Sequence, residues 1–79
     1  LDRSKLFIYP NPASRTLFIQ TEPGKRYNEL VIYDMQLKTL VRQPFQESTD
    51  ISSLPAGTYI ISVSDNDGRI YSSRFIKND

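Results

Sequence analysis

Turn-forming residues interrupt this chain at intervals of roughly ten residues, and that punctuation decides most of what it can fold into. Pro10-Asn11-Pro12, Pro23-Gly24, Pro44, Leu54-Pro55-Ala56-Gly57 and Asp65-Asn66-Asp67-Gly68 each stop a run of β-prone side chains. The prolines fix φ and lack the backbone donor a ladder needs, so Pro10-Asn11-Pro12 ends a strand outright. Asn, Asp and Gly tolerate the positive φ of a tight hairpin, which makes residues 65–68 the strongest turn. The runs between these breaks lack helical periodicity.

Those runs predict about seven strands. Leu6-Phe7-Ile8-Tyr9 and Thr16-Leu17-Phe18-Ile19-Gln20 come first. Glu29-Leu30-Val31-Ile32-Tyr33 is apolar on both faces, which suits a central place in a sheet. Asp34 to Lys38 reads as a hairpin connection into Thr39-Leu40-Val41-Arg42, a strand that Pro44 ends. Ser48 to Ile51 is a weaker, edge-like strand. From Thr58 to Ser64 the period of two puts Tyr59, Ile61 and Val63 on one face and Ile60, Ser62 and Ser64 on the other. Its partner, Arg69 to Lys77, sets Tyr71, Ser73 and Phe75 against Ile70, Arg74 and Ile76. With no crossover helix to support a parallel sheet, the chain reads as all-β: an immunoglobulin-like antiparallel β-sandwich.

Seventy-nine residues allow one small domain, and the absence of cysteine leaves side-chain packing as its only source of stability. Four Phe and five Tyr meet that demand, since each ring buries a large area. Ten Lys and Arg are interspersed with nine Asp and Glu, and Lys25-Arg26 is the longest basic run, so no nucleic-acid partner is expected. No apolar stretch approaches the roughly 20 residues needed to span a bilayer as a helix. The chain opens on Leu1 without a basic-then-apolar leader, and is read as a piece of a longer protein whose export signal lies upstream.

With neither His nor Cys, the usual general base, thiol nucleophile and preferred zinc ligands are missing, and a Ser-His-Asp triad cannot be built. Asp65 with Asp67, and Glu47 with Asp50, are the remaining carboxylate pairs, in a domain with little room for a cleft between them. Asp65-Asn66-Asp67-Gly68 echoes the start of a calcium loop, but Arg74 stands where the bidentate Glu is required. Most of Tyr9, Tyr27, Tyr33, Tyr59 and Tyr71 lie on strands with apolar neighbours, which favours core and rim over a sugar- or base-stacking platform. The residues therefore predict a non-catalytic module with no metal and no cofactor.

Ile8-Tyr9-Pro10-Asn11-Pro12-Ala13, Val31-Ile32-Tyr33-Asp34, the stretch from Asp50 to Val63 and Arg74-Phe75-Ile76-Lys77 stand in that order, and together they resemble the type A sorting domain of the type IX secretion system of Bacteroidetes. Ile8-Tyr9-Pro10-Asn11-Pro12-Ala13 looks like the opening "YPNPA" signature, followed by Leu17-Phe18-Ile19. Val31-Ile32-Tyr33-Asp34 is similar to the mid-domain "iYD" strand. The stretch from Asp50 through Ser52, Leu54, Pro55, Gly57 and Tyr59 to Val63 resembles "idiSsLpaGiYil.V", and Arg74-Phe75-Ile76-Lys77 the terminal "kfiK". The resemblance runs from residue 6 to residue 77. It departs where the family's D-x-x-G-K turn has glycine: Leu37 stands there, which predicts a longer or bulged hairpin, or a strained one. Asn78 and Asp79 extend past the terminal Lys.

What the resemblance implies is a transport address. Residues 6–77 would form the sorting domain, 1–5 a linker to upstream cargo, and 78–79 a tail. An outer-membrane translocon and its associated shuttle protein would recognise the domain in the periplasm. A sortase-like surface protease would then remove it near Leu1 to Lys5 as the cargo is anchored to the cell surface or released. Tyr9, Pro10, Asn11, Pro12, Leu54, Pro55, Gly57, Tyr59, Phe75, Ile76 and Lys77 are the signal residues it singles out. Residues 70–77 are expected to offer an unpaired edge for strand addition, with Lys77 as a charge contact. The competing reading of that strand makes Phe75 and Ile76 core and Lys77 an edge protector. Exposed edges would also permit a dimer. Two rival functions remain at this stage. One is an immunoglobulin-like binding or spacer module with a groove of exposed tyrosines, and the other is an accessory domain packed on a neighbour.

Overall fold

The structure, a computed structural model, describes residues 4–78. Eight strands follow the turn punctuation: β1 Ser4–Lys5, β2 Phe7–Tyr9, β3 Thr16–Gln20, β4 Tyr27–Asp34, β5 Thr39–Pro44, β6 Ser48–Asp50, β7 Gly57–Asp65 and β8 Ile70–Lys77. They form a five-stranded sheet, β1-β8-β7-β4-β5, against a three-stranded sheet, β2-β3-β6. Every pairing is antiparallel except β1 with β8. This is the two-sheet order of an immunoglobulin-type sandwich, with an opening strand split between the sheets.

The expected seven strands become eight because Ser4 and Lys5, assigned to a linker, pair as β1 with Tyr71 and Ser72. Pro44 closes β5 from inside rather than just beyond it, which an outer strand allows because one side of its backbone needs no ladder partner. Leu1 to Arg3 and Asp79, the rest of the expected linker and the end of the tail, lie outside the described residues.

Alternation sets the core. In β7, Tyr59, Ile61 and Val63 are buried, and in β8 Tyr71 and Phe75. From the central strand β4 come Leu30 and Ile32, with Leu17 and Ile19 of β3 and Ile51 facing them from the smaller sheet. Phe75, Leu17, Leu30, Ile32, Ile51, Ile61 and Val63 are fully enclosed. Each such side chain stabilises the fold by about 1.5–3 kcal/mol relative to exposure.

Two hairpins use one turn. In residues 65–69, the Asp65 carbonyl accepts the Gly68 amide (3.1 Å), and Asp65 Oδ1 accepts the amides of Asp67 and Arg69, both at 2.9 Å. In residues 34–38, Asp34 accepts the Leu37 amide (3.0 Å) in the same way, and its Oδ1 takes those of Gln36 and Lys38 at 2.9 Å. The fourth residue has positive φ in both turns, 82° at Gly68 and 67° at Leu37. The hairpin at Leu37 is therefore no longer than its glycine-bearing counterpart. It is strained, and the β4–β5 register shifts beside it between Ile32 and Tyr33.

Candidate functional site

The opening segment flanks β8 twice, through residues 4–6 and again through Asn11 and Ala13. After β1, the Leu6 amide donates to the Ser72 carbonyl (3.1 Å) and the Ser73 hydroxyl to the Leu6 carbonyl. The chain then crosses to the smaller sheet, where Tyr9 pairs with Phe18, and the peptide bonds before Pro10 and Pro12 are both cis. Past the prolines it returns. The Asn11 side-chain amide donates to the Arg74 carbonyl (3.2 Å), and Asn11 Oδ1 accepts the Ile76 amide (2.9 Å). The Ala13 amide then donates to the Ile76 carbonyl (2.8 Å), and the Asn78 amide to the Ala13 carbonyl (2.7 Å).

This arrangement corrects the expected free edge. β8 lies between β7 on one side and residues 4–6, 11 and 13 on the other, so the edge it would present is already occupied. Proline cannot donate, and Asn11 supplies through its side chain the pairing that its neighbours deny the backbone. The "YPNP" and "fiK" segments, 65 positions apart, are one structural unit.

Phe75 is wholly enclosed and stacks on Tyr59, ring centres 5.6 Å apart. Ile76 belongs to the outward face at 47% exposure, not to the core. Lys77 is neither a charge contact in solvent nor an edge protector. It is 5% exposed, and its ammonium donates to the Asn78 carbonyl at 2.8 Å. Its register with Tyr71, Ser73 and Phe75 carried that signal: by alternation residue 77 faces inward.

The segment from Leu54 to Tyr59 builds a corner. The Tyr59 hydroxyl donates to the Pro55 carbonyl, four residues back, at 2.5 Å. A tyrosine at the start of this strand, bonded to its own approach loop, fixes the turn between the two sheets in sandwiches of this type. Gly57, at φ 157°, pairs with Lys77, and the Leu54 amide donates to the Ile51 carbonyl (3.0 Å). The signal residues thus gather at one end of the sandwich. Within that group Pro10, Pro12, Pro55, Tyr9 and Ile76 are exposed, while Tyr59, Phe75 and Lys77 are buried. Tyr9 stacks on the exposed Phe18, with ring centres 5.4 Å apart. Of the five tyrosines Tyr9 alone is exposed, so the residues expected to line a tyrosine groove do not form one.

A half-buried ion pair at the opposite end was not foreseen. The Asp65 carboxylate is enclosed, accepts the Tyr71 hydroxyl (3.0 Å) and lies 3.7 Å from the Lys25 ammonium. Lys25 in turn donates to Tyr71 and sits 4.7 Å above its ring. Burial pushes the Asp65 carboxyl up, but the amides of Arg69 and Asp67, the Tyr71 hydroxyl and Lys25 outweigh it and hold it below the usual value. The bond to Tyr71 raises Lys25 against the opposing effect of burial. The turn sequence held half of this signal; the contribution of Lys25, distant in sequence, did not show.

The family model described as the secretion system C-terminal sorting domain matches residues 7–78. No curated protein and no solved structure matches the chain.

Proposed function

The chain belongs to the family of secretion system C-terminal sorting domains, the addresses of type IX export, and from that premise we propose how the address is read. The translocon and its shuttle protein recognise the exposed side chains where the two signature segments meet, with the cargo held upstream. The domain passes through the periplasm and is removed at the surface by a sortase-like protease. The observation supporting this reading is the Asn11 clasp on β8, which unites the first and last family motifs in one surface. Because the β8 edge is occupied, recognition proceeds through side chains such as Tyr9, Pro12 and Ile76 and not through strand addition.

The experiment is an export assay in a bacterium with this secretion system, using residues 1–79 fused behind a periplasmically targeted fluorescent reporter. Deleting residues 75–79 would be a poor control, because removing Phe75 from the core costs about 3–5 kcal/mol, comparable to the whole stability of a small domain. Ile76→Ser and Tyr9→Ser alter exposed side chains and leave the core intact. The intact fusion is expected at the surface or in the medium, and the two folded variants in the periplasm. Retention of the intact, folded fusion would sink the sorting reading, whereas normal export of both variants would sink only this assignment of the recognised surface.

A further inference from the structure

Along β8 the residues facing away from the core run Ile76, Arg74, Ser72 and Ile70, so the exposed Ile76 heads a line that continues down the outward face of the five-stranded sheet. Across that line Arg74 pairs with Ile60 and Ser72 with Ser62, while Tyr33 stands beyond Ile60 on β4. The small side chains Ser62 and Ser72 floor a shallow basin of about 620 Å³, with Ile60 and Tyr33 on one side and Ile70 on the other. Arg69 lines its rim, and Arg74 lies about 17 Å of strand further on. Both arginines are exposed, and neither guanidinium has a hydrogen bond or ion pair among the described residues. The nearby carboxylates do not answer this charge. Glu29 is held by Arg42 at 2.9 Å, Asp34 Oδ1 accepts the Gln36 and Lys38 amides, and Asp67 borders a different depression beside Lys25 and Arg26. In a chain of net charge +1, the basin is a local positive site set on apolar walls.

We propose that this basin binds an acidic segment of the recognising protein, with an apolar side chain seated over Ser62 and Ser72 between carboxylates that pair with Arg69 and Arg74. The inference rests on the sorting reading and extends the recognised surface from Ile76 along β8 to Ile70. Charge selects the sign of the partner, because free guanidiniums form bidentate pairs with carboxylates and steer an acidic surface toward them. Spacing selects its kind. Two arginines separated by apolar side chains match carboxylates that flank an apolar residue in a polypeptide. An anionic lipid surface calls for a cluster of about four to eight basic side chains, and a nucleic acid for a basic stripe. The described residues of this face provide neither. Tyr33, Ile60 and Ile70 leave water as the segment binds, and arginine is the cation that protein interfaces favour.

Amide chemical shifts of the 79-residue chain test the site directly, with a short peptide of alternating glutamate and leucine as the probe and its lysine–leucine counterpart as the control. The acidic peptide is expected to move the amides of Ile60, Ser62, Ser72 and Arg74. Arg69→Glu combined with Arg74→Glu should weaken that binding by about tenfold or more, and the pair of lysine substitutions should retain most of it. Circular dichroism confirms that each variant is folded. In the export assay the intact fusion and the double lysine variant are expected at the surface or in the medium, and the double glutamate variant in the periplasm. Full export of the folded glutamate variant overturns the acidic partner and leaves the sorting reading standing, whereas retention of the intact fusion sinks both. Equal shifts with the two peptides also overturn the proposal. So do shifts of these amides by phosphatidylglycerol vesicles and not by the acidic peptide, which would assign the face to a lipid surface.

Discussion

Asn11 Oδ1 accepts the backbone amide of Ile76 at 2.9 Å while the same side chain donates to the carbonyl of Arg74, so one asparagine spans the edge of β8 across Phe75. A side chain has taken the part of a neighbouring strand. That substitution makes Asn11 irreplaceable by groups that only donate or only accept.

Asn11→Ala is expected to lower stability by about 1–3 kcal/mol, two neutral hydrogen bonds at a net of about 0.5–1.5 kcal/mol each. Asn11→Asp, which keeps the acceptor and loses the donor, should fall between the two. Urea titration gives the magnitude. Hydrogen exchange at the Ile76 amide gives the cause, since it should quicken in the alanine variant more than exchange at the β4 amides.

Leu37→Gly should stabilise the domain, against the general expectation that glycine weakens a fold. A non-glycine residue at φ 67° carries a penalty of about 1–2 kcal/mol, partly offset by the greater freedom of glycine in the unfolded chain. A net gain of about 1 kcal/mol is expected in chemical denaturation. Gly68→Leu, the reverse change in the same turn, should cost a similar amount.

Tyr59→Phe keeps the stack on Phe75 and loses the bond to the Pro55 carbonyl. A loss of about 1 kcal/mol is expected, read as a lower urea midpoint with an unchanged slope. A change in slope would mean instead that the corner holds the two sheets together as a cooperative unit.

The ion pair at Asp65 gives stability a pH dependence of known sign. The folded state holds this carboxyl below its ordinary value of about 3.9, so its contribution is present above that pH and is lost as pH falls through the lower folded value. Lys25 acts in the opposite sense: raised on folding, it contributes fully below its ordinary value of about 10.4 and loses that contribution as pH climbs past it. Thermal melts from pH 2 to pH 5, a range of about one unit or more on each side of the ordinary value, should show a steeper fall for wild type than for Asp65→Asn. Equal slopes would assign the acid sensitivity to other carboxylates.

Much of the sandwich was legible because alternation and turn chemistry are local properties. Ile61, Val63 and Phe75 could be placed inward from period two alone, and residues 65–68 could be read as a hairpin from four side chains. What escaped was decided at long range. Ser4 and Lys5 have no strand-forming character, and they pair because β8 offers an edge, a fact belonging to the far end of the chain. The same pairing removed the edge that β8 was expected to present. Leu37 was recognisable as a conflict with its turn, but only the geometry shows that the turn prevailed and the side chain gave way. The family motifs located the signature residues without saying which of them point outward, so the burial of Lys77 separates a structural lysine from a contact one.

The position of β8 between β7 and the opening segment also orders events in time. During synthesis β7 emerges before the strand that must lie beside it, and Asn11 waits for a partner made 65 residues later. Until Lys77 is free to pair, Ala13 and Asn11 have nothing to grip and Leu6 has no wall to pack against. A prematurely terminated chain therefore displays its opening motif in an unfixed form. The opening motif thus takes its shape only once β8 exists, so the two family segments form or fail together.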